Sequence, residues 1–242
     1  MNGPVALVGS GEYLPVMNPV DLALLEGRPQ RVVMLPTAAG EESPERIAYW
    51  SKLGVDHYRD LGVASLVLPV LDRDDANSPE LAHSIEGAGL IYLSGGSPAY
   101  LAETLRNSVV LAAIIEAWHQ GAALAGCSAG ACALTAIAGG FRHPERLSGP
   151  GLGLIDHLAI IPHFDRFDRR DPALVAAMRD RVPSELTLIG VDERTAIVGG
   201  PEEFLVMGEQ SAWWIEQNGN RQGFAPGTRL RLSPGAEPFV LA

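Results

Sequence analysis

Gly121-Ala-Ala-Leu-Ala-Gly126-Cys127-Ser128-Ala129-Gly130-Ala-Cys-Ala-Leu-Thr-Ala-Ile-Ala138 is the stretch that decides the fold. A short apolar run of strand type leads into Gly-x-Ser-x-Gly, and a small-residue helical run follows. This is the layout of a nucleophile elbow, in which a sharp strand-to-helix turn lifts a hydroxyl to the top of a sheet. The two glycines have a steric reason. The turn is tight, and side chains at 126 and 130 would collide with the neighbouring strand and helix. The helix that starts beneath Ser128 adds positive backbone potential where negative charge would develop.

Working outward, strand-like and helix-like segments alternate. Residues 5–8, 31–35, 64–70, 89–94 and 122–126 are short apolar runs of the kind that buried parallel strands show. Ser43-Pro44-Glu45 and Ser78-Pro79-Glu80 read as helix starts, each an N-cap followed by proline at the first position. Gly54 reads as the close of the first of these helices. The repetition predicts an α/β fold with a doubly wound, mostly parallel sheet flanked by helices. The tail changes character over 196–232, with Phe204-Leu-Val-Met, Ala212-Trp-Trp-Ile215 and Arg229-Leu-Arg-Leu, and Asn218-Gly-Asn220 reads as a hairpin turn. An antiparallel C-terminal extension of the same domain is expected, and residues 1–242 read as one domain. Gly9-Ser-Gly11 is not a dinucleotide fingerprint, because Leu14 holds the place of the third glycine. It is expected to shape the loop at the first strand end. Residues 139–153, rich in glycine and proline, read as a long loop lining the site.

Composition excludes several classes. Hydrophobic residues make up 47% and charged residues 19%, which argues against disorder. A net charge of −11 argues against nucleic acid and anionic membranes as partners. Cys127 and Cys132 are expected to be free thiols, since a bridge across five positions would distort the helix. No Cys/His spacing suggests a metal, and no cofactor is expected. The N-terminus lacks a basic region and no apolar run reaches transmembrane length, so a cytoplasmic location is expected.

A serine hydroxyl needs a base within hydrogen-bond reach, and the base needs an orienting group. Of six histidines, His163 suits best. It ends the apolar run Leu158-Ala-Ile-Ile-Pro162, and the end of a parallel strand lies on the same edge as an elbow serine. His157 begins that run and is expected at the opposite edge. A further strand-like run, Leu186-Thr-Leu-Ile-Gly190-Val191, is followed by Asp192 and Glu193. Strand alternation sends these two carboxylates to opposite faces, so one of them at most orients the histidine. The chain order is then Ser, His, acid. That order separates this chain from the α/β-hydrolases, in which the acid precedes the histidine.

An oxyanion hole is expected from the Ala129 amide and from the amide of Gly96 or Ser97. These last two follow a strand in Gly95-Gly96-Ser97-Pro98. Arg166, Arg169 and Arg170 follow His163, and their guanidinium forks suit a substrate carboxylate. Pairing with Asp165, Asp168 and Asp171 in a solvated loop is the competing reading.

Together these segments resemble the dipeptidase E and cyanophycinase family of serine peptidases, built on the class I glutamine amidotransferase-like fold. The likeness rests on Leu93-Ser-Gly-Gly96-Ser97, Ala125-Gly-Cys-Ser128-Ala-Gly-Ala131, Ile161-Pro-His163-Phe164 and Gly190-Val-Asp-Glu193-Arg-Thr-Ala196, with weaker support from Val8-Gly-Ser-Gly-Glu12 and Leu35-Pro-Thr37. It implies Ser128 as nucleophile, His163 as base, and Glu193 rather than Asp192 as the third member. It also implies an oxyanion hole at Gly96 and Ala129; Ser97, beside them, is expected to contact substrate. Ser97-Pro98 departs from the family, whose members often carry Asn, or Asp followed by Gln, after the glycine pair. The implied activity is hydrolysis of a small peptide at an aspartyl residue, with a possible homodimer. β-Aspartyl-arginine hydrolysis, an amidotransferase-like activity and a non-catalytic scaffold are the rivals.

Overall fold

The computed structural model describes residues 2–139, 149–170 and 172–241. Its centre is a run of five parallel strands: β1 (Val5–Val8), β2 (Arg31–Leu35), β3 (Ala64–Val67), β4 (Leu90–Leu93) and β5 (Ala123–Cys127). Their spatial order is β1-β5-β4-β2-β3. Every residue of β1, β4 and β5 is buried, as strands covered on both faces require. β3 lies at the sheet edge and alternates between exposed and half-buried residues.

Helices cover both faces. The first is α1 (Asn18–Leu25), followed by α2 (Pro44–Asp60), α3 (Arg73–Ala76), α4 (Pro79–His83), α5 (Pro98–Leu105), α6 (Val109–His119) and α7 (Ala129–Leu134). Alternate strand residues serve different cores. Val5, Leu7 and Leu124 pack with residues of α5, α6 and α7, whereas Ala6, Val8, Ala125 and Cys127 pack with residues of α1 and α2. The expected caps form: Ser43 accepts from the Arg46 amide and Ser78 from the Leu81 amide.

Gly54 does not close α2, which runs on to Asp60. Its lack of a side chain serves packing instead. A Cβ there would stand 2.6 Å from Met34 Sδ and 2.9 Å from the Tyr13 ring. The chain leaves the helix at Gly62, with φ +74°.

The second half of the chain divides between two sheets. β6 (Leu158–Pro162) leads into α8 (Phe164–Arg170) and α9 (Pro172–Arg179), and β7 (Thr187–Val191) follows. β8 (Thr195–Gly199) then pairs antiparallel with β1, and β9 (Glu203–Gly208) pairs with β8. β10 (Ala212–Ile215) and β11 (Arg221–Phe224) form a hairpin, turned at Gly219 with φ +83°. β12 (Arg229–Arg231) and β13 (Phe239–Leu241) finish the large sheet, ordered β13-β12-β9-β8-β1-β5-β4-β2-β3. The antiparallel extension therefore exists, but it is shared between layers.

β6 and β7 do not continue the central sheet. They form a smaller one, ordered β11-β10-β7-β6, in which β6 and β7 are parallel. β8 occupies the edge of β1, so the histidine strand packs as a separate layer. Leu158, Ile160, Ile189 and Val191 face the central core, and Ala159, Ile161 and Leu188 face a third core with residues of α8 and α9. Pro162 is paired with Val191, which sets the next residues of both strands, His163 and Asp192, side by side. Much of the long loop expected over 139–153 falls on residues 140–148, outside the described residues.

Candidate active site

Ser128 joins β5 to α7 with φ +51° and ψ −106°, a conformation non-glycine residues rarely hold. Its amide donates to Val8 O at 2.9 Å, tying the bend to β1. Both glycines are sterically required. A Cβ on Gly126 would stand 2.4 Å from the Gly130 carbonyl carbon, and one on Gly130 would stand 2.2 Å from Leu93 O. The hydroxyl caps no amide of its own helix.

That hydroxyl faces an imidazole. Ser128 Oγ lies 3.0 Å from His163 Nε2, and His163 Nδ1 lies 2.9 Å from Glu193 Oε1. A carboxylate at Nδ1 assigns the ring proton there and leaves Nε2 as acceptor for the hydroxyl. His163 directly follows β6 and also has a positive φ, +52°. The histidine and glutamate side chains are 26% and 22% exposed, so the relay is shielded yet open on one side. Burial works to raise the Glu193 carboxyl, but hydrogen bonds from His163 and Arg166 overcome it, leaving the group below its ordinary value.

Asp192 turns elsewhere. Its carboxylate accepts from Trp213 Nε1 at 3.0 Å and from the Ser211 amide at 3.1 Å. Burial raises its carboxyl despite those two bonds. His157 sits at the far end of β6, buried, with its Nδ1 3.7 Å from Asp156. Neither residue reaches Ser128 through a hydrogen bond.

The loop after β4 lies against the elbow, since a Cβ on Gly95 would stand 3.6 Å from Ser128 Cβ. Gly96 has φ +144°, and a Cβ there would be 2.2 Å from Ala38 O. Among the described residues, no acceptor takes the amides of Gly96 or Ala129. The Ser97 amide is already given to Ala38 O at 2.7 Å, and the Ser97 hydroxyl accepts from the Tyr100 amide as the cap of α5. Gly96 thus holds the available backbone amide of the pair, and the Ser97 oxygen serves as the cap of α5.

Arg166 is also engaged. Its Nη2 donates to Glu193 Oε2 at 2.9 Å. The side chains of Arg169 and Arg170, like Asp171, lie outside the described residues. Two partners had no signal beyond their neighbourhood. Asp165 Oδ1 accepts from the Glu193 amide at 3.0 Å. Glu12, in the glycine loop after β1, accepts from Cys127 Sγ at 2.9 Å. Cys127 is buried, and that burial, reinforced by Glu12, pushes its thiol well above the ordinary value. It is not the group at the apex. Among the described residues, no group of three or more His, Cys, Asp or Glu side chains is arranged to hold a metal ion, and no helix is long and apolar enough to cross a membrane.

A hydroxyl, an imidazole and a carboxylate in line at a strand–turn–helix elbow, with the Gly96 and Ala129 amides unclaimed among the described residues, define the class of serine hydrolases. Within that class, the chain belongs to peptidase family S51, whose model matches residues 5–206. It is 31% identical over 171 residues to the cyanophycinases of Trichormus variabilis and of a Nostoc species. That match covers 66% of this chain and 56% of theirs, so the chain spans a little over half the length of these curated relatives. A crystal structure of a peptidase from an acI-B1 Actinobacterium is 38% identical and superposes with a TM-score of 0.87, covering 96% of this chain and 98% of that one. A putative peptidase E protein from Listeria monocytogenes shares the fold, with a TM-score of 0.64 at 18% identity, over 87% of this chain and 100% of that one.

Proposed function

We propose that this chain is a serine peptidase that cleaves small peptides, acting as a dipeptidase at an N-terminal aspartyl residue. The observation that carries the reading is the unbroken relay of 3.0 Å and 2.9 Å contacts from Ser128 through His163 to Glu193. His163 Nε2 takes the hydroxyl proton as Ser128 Oγ attacks the scissile carbonyl. The Ala129 and Gly96 amides receive the oxyanion, in place at no reorganisation cost. His163 returns the proton to the leaving amine, and an acyl-enzyme remains on Ser128. Water, deprotonated by the same imidazole, releases the acid. Glu193 holds the ring in the productive tautomer throughout and stays ionised.

The aspartyl preference is supported by the family likeness of the four motifs around residues 96, 128, 163 and 193. A second reading, hydrolysis of β-aspartyl-arginine, is supported by the relatives that bear the name cyanophycinase. An amidotransferase-like chemistry would place cysteine at the apex, where this chain has Ser128. The reading takes a small peptide as the partner, without nucleic acid or membrane, in the cytoplasm, with a homodimer as the candidate assembly. A dipeptide panel of Asp-Xaa, β-Asp-Xaa and Glu-Xaa tests it, run on wild type and on Ser128→Ala. Turnover of Asp-Xaa by wild type alone is the expected result. Turnover confined to β-Asp-Arg would move the conclusion to the second reading. Equal turnover by both proteins would end the serine mechanism.

A further inference from the structure

We infer that Arg166 is a positioning residue for the catalytic acid, and that the first turn of α8 is built to hold His163 and Glu193 as one unit. The inference rests on the Ser128–His163–Glu193 reading. Glu193 uses its two carboxylate oxygens on different partners: Oε1 lies at His163 Nδ1, 2.9 Å, and Oε2 accepts from Arg166 Nη2, also 2.9 Å. The backbone of the acid is gripped by the same turn, through the Asp165 Oδ1 contact with the Glu193 amide at 3.0 Å. That turn begins at the base, because the Arg166 and Phe167 amides donate to His163 O at 3.0 and 3.2 Å. Base, acid anchor and guanidinium thus fall within four consecutive positions, 163–166.

Stability does not explain the Arg166 contact. The arginine side chain is 70% exposed, and an ion pair so placed contributes little to folding. Its effect falls on the carboxylate. With Oε2 fixed, the carboxylate cannot rotate to offer His163 a poorer geometry, and the guanidinium favours the ionised form. Other charged groups around Glu193 do not replace it. Asp165 is used on the amide, Asp192 turns to Trp213, and Arg194 pairs with Glu209 at 3.1 Å. Gln210 Nε2 donates to the Glu193 carbonyl oxygen and leaves the carboxylate alone.

Removing the guanidinium takes away one of the contacts that hold the Glu193 carboxyl low, so that carboxyl should take up a proton more readily. The acid limb of reactivity would then move to higher pH. The test is the rate of Ser128 labelling by a fluorophosphonate, followed across about pH 4.5 to 8.5, for wild type, Arg166→Met, Arg166→Lys and Glu193→Gln. Arg166→Met should label roughly three- to tenfold more slowly than wild type near the acid end and within about twofold at the alkaline end. Its Tm should stay close to that of wild type. Arg166→Lys should recover most of the acid limb, since it restores the charge. A purely structural role would lower Tm or slow labelling equally at every pH. Superimposed profiles for Arg166→Met and wild type, with Glu193→Gln still slow, would overturn this inference and leave the triad standing. Wild-type labelling away from Ser128, or a Glu193→Gln enzyme as fast as wild type, would remove both.

Discussion

Asp192 and Glu193, adjacent in the chain, carry their carboxylates to different places: Glu193 to His163 Nδ1 at 2.9 Å, Asp192 to Trp213 Nε1 and the Ser211 amide. The divergence makes their substitutions separable. Glu193→Gln keeps the size but can present an amide N–H where the ring needs an acceptor, favouring the wrong tautomer. A loss of about 10⁴ in kcat is expected, with Tm nearly unchanged. Asp192→Asn keeps an acceptor for one of its two donors. It should lose roughly 1 kcal/mol of stability and leave kcat within a few-fold. Steady-state kinetics beside urea denaturation checks both, and equal kcat losses would contradict the assignment.

The elbow makes a prediction of opposite sign. Ser128 holds φ +51° although it bears a side chain, and strain of this kind costs on the order of 1–3 kcal/mol. Glycine occupies that region freely, at a cost of about 0.5–1 kcal/mol in chain entropy. Ser128→Gly should therefore be more stable than wild type by about 1 kcal/mol, raising Tm by roughly 2–4 °C for a chain of this size. It should also lose activity by a factor on the order of 10⁶. A calorimetric Tm at or below the wild-type value would mean that the bend stores no strain.

Gly95 and Gly96 look alike in sequence and should behave differently. A Cβ at 95 meets Ser128 Cβ at 3.6 Å, an ordinary contact, whereas one at 96 would stand 2.2 Å from Ala38 O on a backbone with φ +144°. Gly95→Ala should change stability by no more than about 0.5 kcal/mol. Gly96→Ala must move either its own loop or the Thr37–Ala39 turn, and the amide proposed for the oxyanion hole moves with it. A kcat loss of roughly 10²–10³ is expected, the range seen when an oxyanion donor is lost. Retention of full kcat by Gly96→Ala would exclude that amide from the oxyanion hole.

The sequence exposed the parts whose physics is local. Buried parallel strands announce themselves as unbroken apolar runs, and Gly126 and Gly130 announce a turn too tight for side chains. The imidazole that faces Ser128 was legible because His163 ends such a run. What stayed hidden depends on layers. Leu158–Pro162 is apolar on both faces, which says that it is covered twice but not by what. The same run suits the central sheet and the smaller one, and the choice turns on β8 occupying the β1 edge. Gly54 was ambiguous for a similar reason, since a glycine at a helix end and one under a neighbouring ring look identical in a string of letters. Nothing local to Arg166 reveals that a carboxylate 27 residues downstream lies within its reach.

Away from the elbow, Asp21 on α1 and His57 on α2 form a buried contact of 2.8 Å, with the Tyr58 hydroxyl donating to the other Asp21 oxygen at 3.1 Å. Burial pushes the Asp21 carboxyl above its ordinary range, although the bonds from His57 and Tyr58 oppose the shift. A carboxyl raised in the folded state binds its proton more tightly there than in the unfolded chain. Its contribution to stability is therefore fully present below about pH 4, the unfolded value, and is lost as pH rises through the folded value. His57→Leu strips away the ring partner and should deepen that loss. The variant is expected to be about 3–5 kcal/mol less stable than wild type at neutral pH, because a buried carboxylate then lacks its ring partner. The deficit should narrow towards about pH 5, where the acid can take up a proton in place. Asp21→Asn combined with His57→Leu should recover most of the neutral-pH loss, since no charge remains to be buried. Urea titrations at the two pH values decide the matter: a deficit that does not change with pH, and that persists in the double variant, would trace the damage to lost packing at position 57 instead of to the carboxylate.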